Sequence, residues 1–199
     1  MALFIEAYNK TEKNEGGYCD VKGDRGGETY KGIARNFHKE WGGWLIIDEY
    51  KSKDKDNFIK ELDHDESLQI LVESFYKTKF WDVLKGDDIP CQPIAEKLFD
   101  VAVNQGVRTA STYMQNALNY LNNDEKHYKS IKVDGKIGKN TLNAFNLFMG
   151  TASFSSRNSK TNEEVFEKVI DGLQFKRYLD IITRDKSQKK FFYGWTKRI

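Results

Sequence analysis

Proline and cysteine are both scarce, two of each in 199 residues. So few prolines leave long stretches of backbone free to hydrogen-bond, which favours helices over a strand-and-turn architecture. The N-terminal stretch MALFIEAYNK has neither a basic n-region nor a long apolar h-region, so no signal peptide is read there. Cys19 and Cys91, far apart in such a chain, are expected as free thiols rather than a disulfide framework. A cysteine nucleophile would need a histidine partner, and nothing around His38, His64 or His127 recommends one. Long apolar runs are missing too: none approaches the roughly 18 residues of a membrane span. So is charge of one sign. The 32 basic and 30 acidic residues leave a net charge of +2, and no Lys/Arg block stands clear of acidic neighbours, so no nucleic-acid partner is expected.

What remains is an ordinary globular composition, 39% apolar and 31% charged, sized for one domain or two small ones. Leu3, Phe4, Ala7 and Tyr8 recur at helical spacing and predict a helix over 2–14, stopped by Gly16-Gly17 with Glu15 at its C-terminal end. The glycine-rich run from Tyr18 to Ile33 predicts an irregular loop or small hairpin. Helical patterning over about 33–40 is interrupted by Trp41-Gly42-Gly43-Trp44. Three amphipathic faces follow, built on Leu68 to Tyr76, Ile94 to Ala102 and Val107 to Leu121. A turn segment is expected over 131–138 and a helix over 141–149. Residues 150–162 are rich in Ser, Thr and Asn and read as a surface linker or mobile loop. Thr161 and Asn162 are candidate caps for a last helix reaching about Arg184.

Chemistry concentrates in Glu15-Gly16-Gly17-Tyr18 and in the downstream Asp24-Arg25-Gly26-Gly27-Glu28-Thr29-Tyr30-Lys31-Gly32-Ile33. A carboxylic acid at a helix end beside an aromatic can have its pKa raised by desolvation and donate a proton near neutral pH. A second polar group on a glycine-rich loop can hold a water or stabilise the developing cation, and glycines let backbone approach a bulky sugar. The same residues also fit a solvated helix end followed by an ordinary polar loop. Calcium is a weaker alternative: Asp20, Asp24 and Glu28 lie close together, but Lys22, Arg25 and Lys31 occupy positions where an EF-hand needs a ligand, a glycine and a glutamate. No zinc spacing occurs, and neither metal nor organic cofactor is expected.

The pattern Glu15-Gly-Gly-Tyr18 with Asp24-x-Gly-Gly-x-Thr29-x-x-Gly-Ile33 resembles the signature of glycoside hydrolase family 108, N-acetylmuramidases related to phage endolysins and including proteins described as secretion activators. More loosely, Glu15, Asp24 and Thr29 resemble the Glu, Asp and Thr order of phage-type lysozymes, with Thr29 one residue early. Phe75-Tyr76 and Phe80-Trp81-Asp82 resemble the end of the family's catalytic region. Phe99-Asp100-Val-Ala-Val-Asn104-Gln-Gly106 with Ala110 and Gln115, Asp134-Gly-Lys-Ile-Gly138-x-x-Thr141, and Phe192-Tyr-Gly194-Trp195 with Arg198 resemble its C-terminal peptidoglycan-binding region.

The resemblance implies a mainly α, α+β lysozyme-like fold with a small irregular or β insertion after the first helix. It implies a catalytic region over 1–90 and a helical peptidoglycan-binding region over 91–199, packed as one compact unit with a cleft between them. The implied activity is hydrolysis of the β-1,4 bond after N-acetylmuramic acid, with Glu15 as general acid and Asp24 or Thr29 holding the attacking water, hence inversion. Tyr18, Gly16, Gly17, Tyr30, Asp100 and Asn104 are the implied substrate-binding residues. Asp100 and Asn104, one helical turn apart, either bond to backbone or face the glycan, and Asp134-Gly135 reads as plain turn chemistry. The expected partner is the peptidoglycan glycan strand and the expected state a monomer, acting on the bacterial wall after cytoplasmic synthesis in a bacterium or prophage. The alternative is a non-catalytic wall-binding or secretion-regulating protein on the same fold.

Overall fold

The computed structural model describes residues 1–12, 16–21, 24–54, 57–151 and 161–199, with the Glu12 side chain outside the description. Glu15, Lys22 and most of the 150–162 segment therefore lie outside the described residues. The chain is mainly α-helical and divides into two compact units, Phe4–Trp81 and Asp82–Ile199, the latter joined by Met1–Leu3.

The first unit begins with α1 (Phe4–Glu12), whose Ala7 and Tyr8 are buried as the helical spacing requires. A small antiparallel sheet follows, in the order β1 (Tyr18–Cys19), β2 (Thr29–Tyr30) and β3 (Ile33–Ala34). Tyr18 pairs with Tyr30 and Cys19 with Thr29, while Tyr30 pairs with Ile33 across the turn. Both central residues of that turn, Lys31 and Gly32, have positive φ (42° and 77°), the backbone that matches the twist of a two-residue hairpin. Lysine is an unusual residue there, and it is held from both ends: its Nζ donates to Gln69 Oε1 at 2.7 Å and its carbonyl accepts from the Tyr76 hydroxyl at 2.7 Å.

The helix expected over 33–40 does not form. Ile33 and Ala34 are taken up in β3, and the next two amides are committed across the loop, Arg35 N to Glu28 O at 2.7 Å and Asn36 N to Gly26 O at 3.0 Å. Amides bonded to a preceding loop are not available for helical i→i−4 pairing. The helix instead starts after the glycine pair, as α2 (Gly43–Lys53), with Trp44 buried in its first turn. A short α3 (Ile59–Leu62) and α4 (Glu66–Tyr76) complete the unit, followed by a π-helical turn over Lys77–Trp81. Asp65 caps α4 by accepting from Leu68 N at 2.8 Å. Leu68, Val72, Phe75 and Tyr76 bury one face of that helix, and Trp81 is fully buried.

The second unit is a helical assembly of α5 (Gln92–Gln105), α6 (Val107–Leu121), α7 (Lys139–Gly150), α8 (Asn162–Arg184) and α9 (Lys189–Thr196). Its core holds Ile94, Leu98, Phe99, Met114, Leu118, Phe145, Phe166 and Ile170, the inward positions of the amphipathic pattern. Thr161 caps α8 as anticipated and forms a reciprocal box with Glu164. Between α6 and α7 the chain folds around one buried side chain. Gln115 donates to Asp134 Oδ1 and Lys136 O, each at 2.9 Å, and accepts from Gly135 N at 2.8 Å. Asp134-Gly135 is thus the turn that its composition predicts.

Candidate functional site

In the first unit the loop between β1 and β2 brings two of the expected polar groups together. Asp24 is exposed and one of its carboxylate oxygens accepts from Gly26 N at 2.9 Å, a local turn closure of the kind aspartate favours. Thr29 is half-buried and its hydroxyl donates to Gly27 O at 3.3 Å. Asp24 and Thr29 flank Gly26: a Cβ built there would lie 3.6 Å from Asp24 Oδ1 and 3.8 Å from Thr29 Oγ1. The loop is pinned from outside by Asn36, whose side-chain amide donates to Arg25 O at 3.1 Å.

Glu28, between these residues in sequence, is the group whose part in the site was missed. It is 9% exposed and forms the hub of an ionic network. Arg35 Nη1 donates to one carboxylate oxygen and Lys51 Nζ to the other, each at 2.5 Å. Arg35 also forks onto Asp48 of α2. Burial by itself would raise the Glu28 pKa, but the bonds from Lys51, Arg35 and Tyr18 outweigh it and hold the carboxyl below its ordinary value. Glu28 is therefore an anchored carboxylate that ties the loop to α2. Its sequence signal was slight: an isolated acid in a loop, with basic partners seven and twenty-three residues downstream.

Tyr18 stands at the edge of this network. Its ring meets Phe58 edge-on, with centroids 4.9 Å apart, and Lys51 Nζ lies 5.1 Å from its centroid. Burial pushes the phenol up to about 12, with Lys51 pulling it down and Glu28 pushing it further up, so Tyr18 is a neutral donor at physiological pH. Gly16 and Gly17 are exposed, and a Cβ at either would meet nothing within 4 Å among the described residues. Tyr30 departs from its expected role. It is 1% exposed, and its hydroxyl is engaged with Leu62 O, Asp63 and Gln69, so its side chain is packing, with no surface to offer a glycan.

Asp100 and Asn104 lie in the second unit, one turn apart on α5, on a shared face as their spacing requires. Asn104 Nδ2 donates to Asp100 O at 2.7 Å and Asp100 Oδ1 at 3.0 Å. Arg198 from the chain end donates to Asn104 Oδ1 and sits 3.6 Å from Asp100 Oδ1. Burial raises the Asp100 pKa against the opposing pull of Arg198 and Lys97. Cys19 is exposed and Cys91 buried, both as free thiols; burial pushes the Cys91 thiol up to about 11, which removes it as a thiolate nucleophile. Among the described residues no cluster of His, Cys, Asp and Glu is arranged to hold a metal ion, and no helix is long and apolar enough to cross a membrane.

A helical body with a small antiparallel sheet after its first helix, carrying Asp24 on the loop between the first two strands and Thr29 at the start of the second, defines a lysozyme-like protein. Comparison with known proteins gives the particular family. Residues 8–106 match the model described as Glycosyl hydrolase 108 and residues 109–199 match a Predicted Peptidoglycan domain. The chain belongs to the glycosyl hydrolase 108 family and is a lysozyme-like protein that acts on peptidoglycan of the cell wall. Among solved structures it is similar to SagA of Brucella abortus, at 20% identity and a TM-score of 0.58 over 98% of this chain and 88% of that one, a likeness of fold. No curated protein matches the chain.

Proposed function

We propose that the protein is an N-acetylmuramidase that cuts the β-1,4 bond after N-acetylmuramic acid, with Glu15 as the general acid. The observation that carries this reading is the convergence of Asp24 and Thr29 on Gly26, in the hairpin that follows Glu15 in sequence. A carboxylate and a hydroxyl that each come within 4 Å of one point beside Gly26 suit the positioning of one water for attack on the anomeric carbon. Glu15 protonates the departing oxygen, and with Asp24 or Thr29 holding the water the reaction inverts configuration, as the wider acid–base spacing of inverting enzymes allows. The neutral Tyr18 phenol lines the approach. Gly16 and Gly17 are exposed, and no described atom lies within 4 Å of a Cβ built at either, which suits close passage of sugar over the backbone.

Turbidity of a suspension of purified walls tests the assignment. Glu15→Gln should reduce clearance by about 10²–10⁴-fold, the usual contribution of general acid catalysis. A Gln variant that clears walls at the parent rate would sink the assignment and leave a wall-binding protein. Stereochemistry is checked on a defined muropeptide oligomer by NMR: the first product should be the α-anomer, and an initial β-anomer would mean retention.

A further inference from the structure

The second unit contains a groove of about 230 Å³ lined by Asn104, Gln105, Arg177, Tyr178, Trp195 and Arg198, with Ile181 at its side. It joins the end of α5 to α8 and the chain terminus, so residues more than ninety positions apart meet there. We propose that this groove binds a carboxylate of the peptide stem of peptidoglycan, so that the C-terminal unit reads the stem while the N-terminal unit works on the glycan. The proposal rests on the wall-glycan reading above and adds to it the group recognised.

The chemistry of the lining is one-sided. Arg177 is exposed and makes no ion pair among the described residues. Arg198 is fixed in place, bonded to the neutral amide oxygen of Asn104 and ion-paired at 3.6 Å with Asp100 Oδ1. Gln105 accepts from the Tyr113 hydroxyl at 3.0 Å through its carbonyl, which leaves its buried Nε2 without a hydrogen-bond partner among the described residues. A buried donor left unmade costs free energy unless a ligand satisfies it. Two guanidinium groups and an unused amide N–H₂ are all donors, so the matching ligand is an acceptor with negative charge. Guanidinium forks suit a carboxylate in geometry and in strength.

The remaining wall is aromatic. Trp195 stacks on Tyr178 with centroids 5.3 Å apart and on Phe191 at 6.1 Å, and Tyr178 is itself held by Gln174 at 2.7 Å. An apolar wall in a groove lined by two guanidinium groups fits a short amino acid that carries a methyl and a carboxylate. It suits a bare phosphate less well, because phosphate has no apolar part to set against Trp195. The volume holds a fragment of one or two residues, below the range of drug-sized sites.

The test uses the full chain and three soluble probes. These are the free-acid stem tetrapeptide, the same peptide with its carboxyls amidated, and glycerol phosphate. Binding is followed by titration calorimetry and by the indole N–H signal of Trp195, assigned with Trp195→Phe. The free-acid peptide should bind saturably and shift that signal; the amidated peptide should bind at least tenfold more weakly, and Arg177→Ala should weaken free-acid binding at least fivefold with the melting temperature unchanged. The proposal is overturned by no saturable binding, by equal affinity for the amidated peptide, by tighter binding of glycerol phosphate, or by an Arg177→Ala variant that binds like the parent. Wall clearance by the same preparation separates the two readings. Walls cleared with no peptide bound removes the groove assignment alone, and peptide bound with walls intact removes the muramidase assignment alone.

Discussion

At the scale of single residues the described side chain with the widest reach in the first unit is Glu28. It takes no part in the proposed chemistry but ties the loop that bears Asp24 and leads into Thr29 to α2 through Arg35 and Lys51. Removing it leaves half-buried Lys51 without its carboxylate and Arg35 with Asp48 alone, so Glu28→Ala should lower stability by about 1–3 kcal/mol, the range for leaving a buried donor unsatisfied. It should also reduce wall clearance by loosening the loop, which a thermal melt and a turbidity assay run together would reveal. The pH dependence follows from the depressed pKa. Between the lower folded-state value and the ordinary 4.5 the unfolded chain binds more protons at this position, so the contribution of Glu28 is present above about 4.5 and is lost as the pH falls through its folded-state pKa. A melting-temperature series should steepen below pH 4.5 in the parent and flatten there in Glu28→Gln. Identical acid limbs in both would count against the linkage.

Asn104 is a second informative residue, because its oxygen holds Arg198 in the groove and its amide closes on Asp100. It is exposed, so truncation leaves no buried void. Asn104→Ala should therefore weaken peptidoglycan binding while changing the melting temperature little. A variant that binds walls normally but melts several degrees lower would make Asn104 a structural cap for α5.

At the scale of elements, the connection between α6 and α7 shows how little regular structure is needed when one buried amide does the organising. Gly135 has φ of +74°, and a Cβ there would lie 2.7 Å from Arg108 Cγ. Gly135→Ala combines left-handed strain with a contact that Arg108 must move to relieve, so a loss of roughly 1–3 kcal/mol is expected. Thermal melting would read it directly, and a loss below about 0.5 kcal/mol would show that the turn relaxes freely. In the first unit the Lys31-Gly32 turn has the opposite economy: the strained lysine is retained because its side chain and its carbonyl each meet a partner on α4.

At the scale of the whole molecule the sequence-matched families and the compact units divide the chain at different places. The hydrolase model ends at residue 106, just after α5, and the peptidoglycan model begins at 109, in the first turn of α6, whereas the compact units divide after Trp81. Helix α5 therefore belongs by family match to one half and by packing to the other, where Leu98, Phe99 and Val101 are fully buried. A fragment 107–199 should consequently be poorly folded, while 82–199 should melt cooperatively, by circular dichroism. A cooperative melt of 107–199 would show that α5 is dispensable.

Much of this protein was determined by sequence alone. Helical periodicity gave α1 and α4 to α7 because each buries one continuous face, the Thr161 cap marked the start of α8, and the Asp134-Gly135 pair marked the turn that Gln115 holds in place. The family was readable from Glu15-Gly-Gly-Tyr18 and the glycine-rich loop because those residues are close together in the chain. Tertiary structure alone decided the rest. Apolar residues after Ile33 looked helical until the Arg35 and Asn36 amides bonded back to the loop, and Tyr30 looked like a cleft residue until its ring entered the core. The ion pairs of Glu28 and the groove of Asn104, Gln105, Arg177, Trp195 and Arg198 join partners from 7 to 94 residues apart. No local period or spacing encodes such meetings, because they depend on where separate helices come to rest against a shared core.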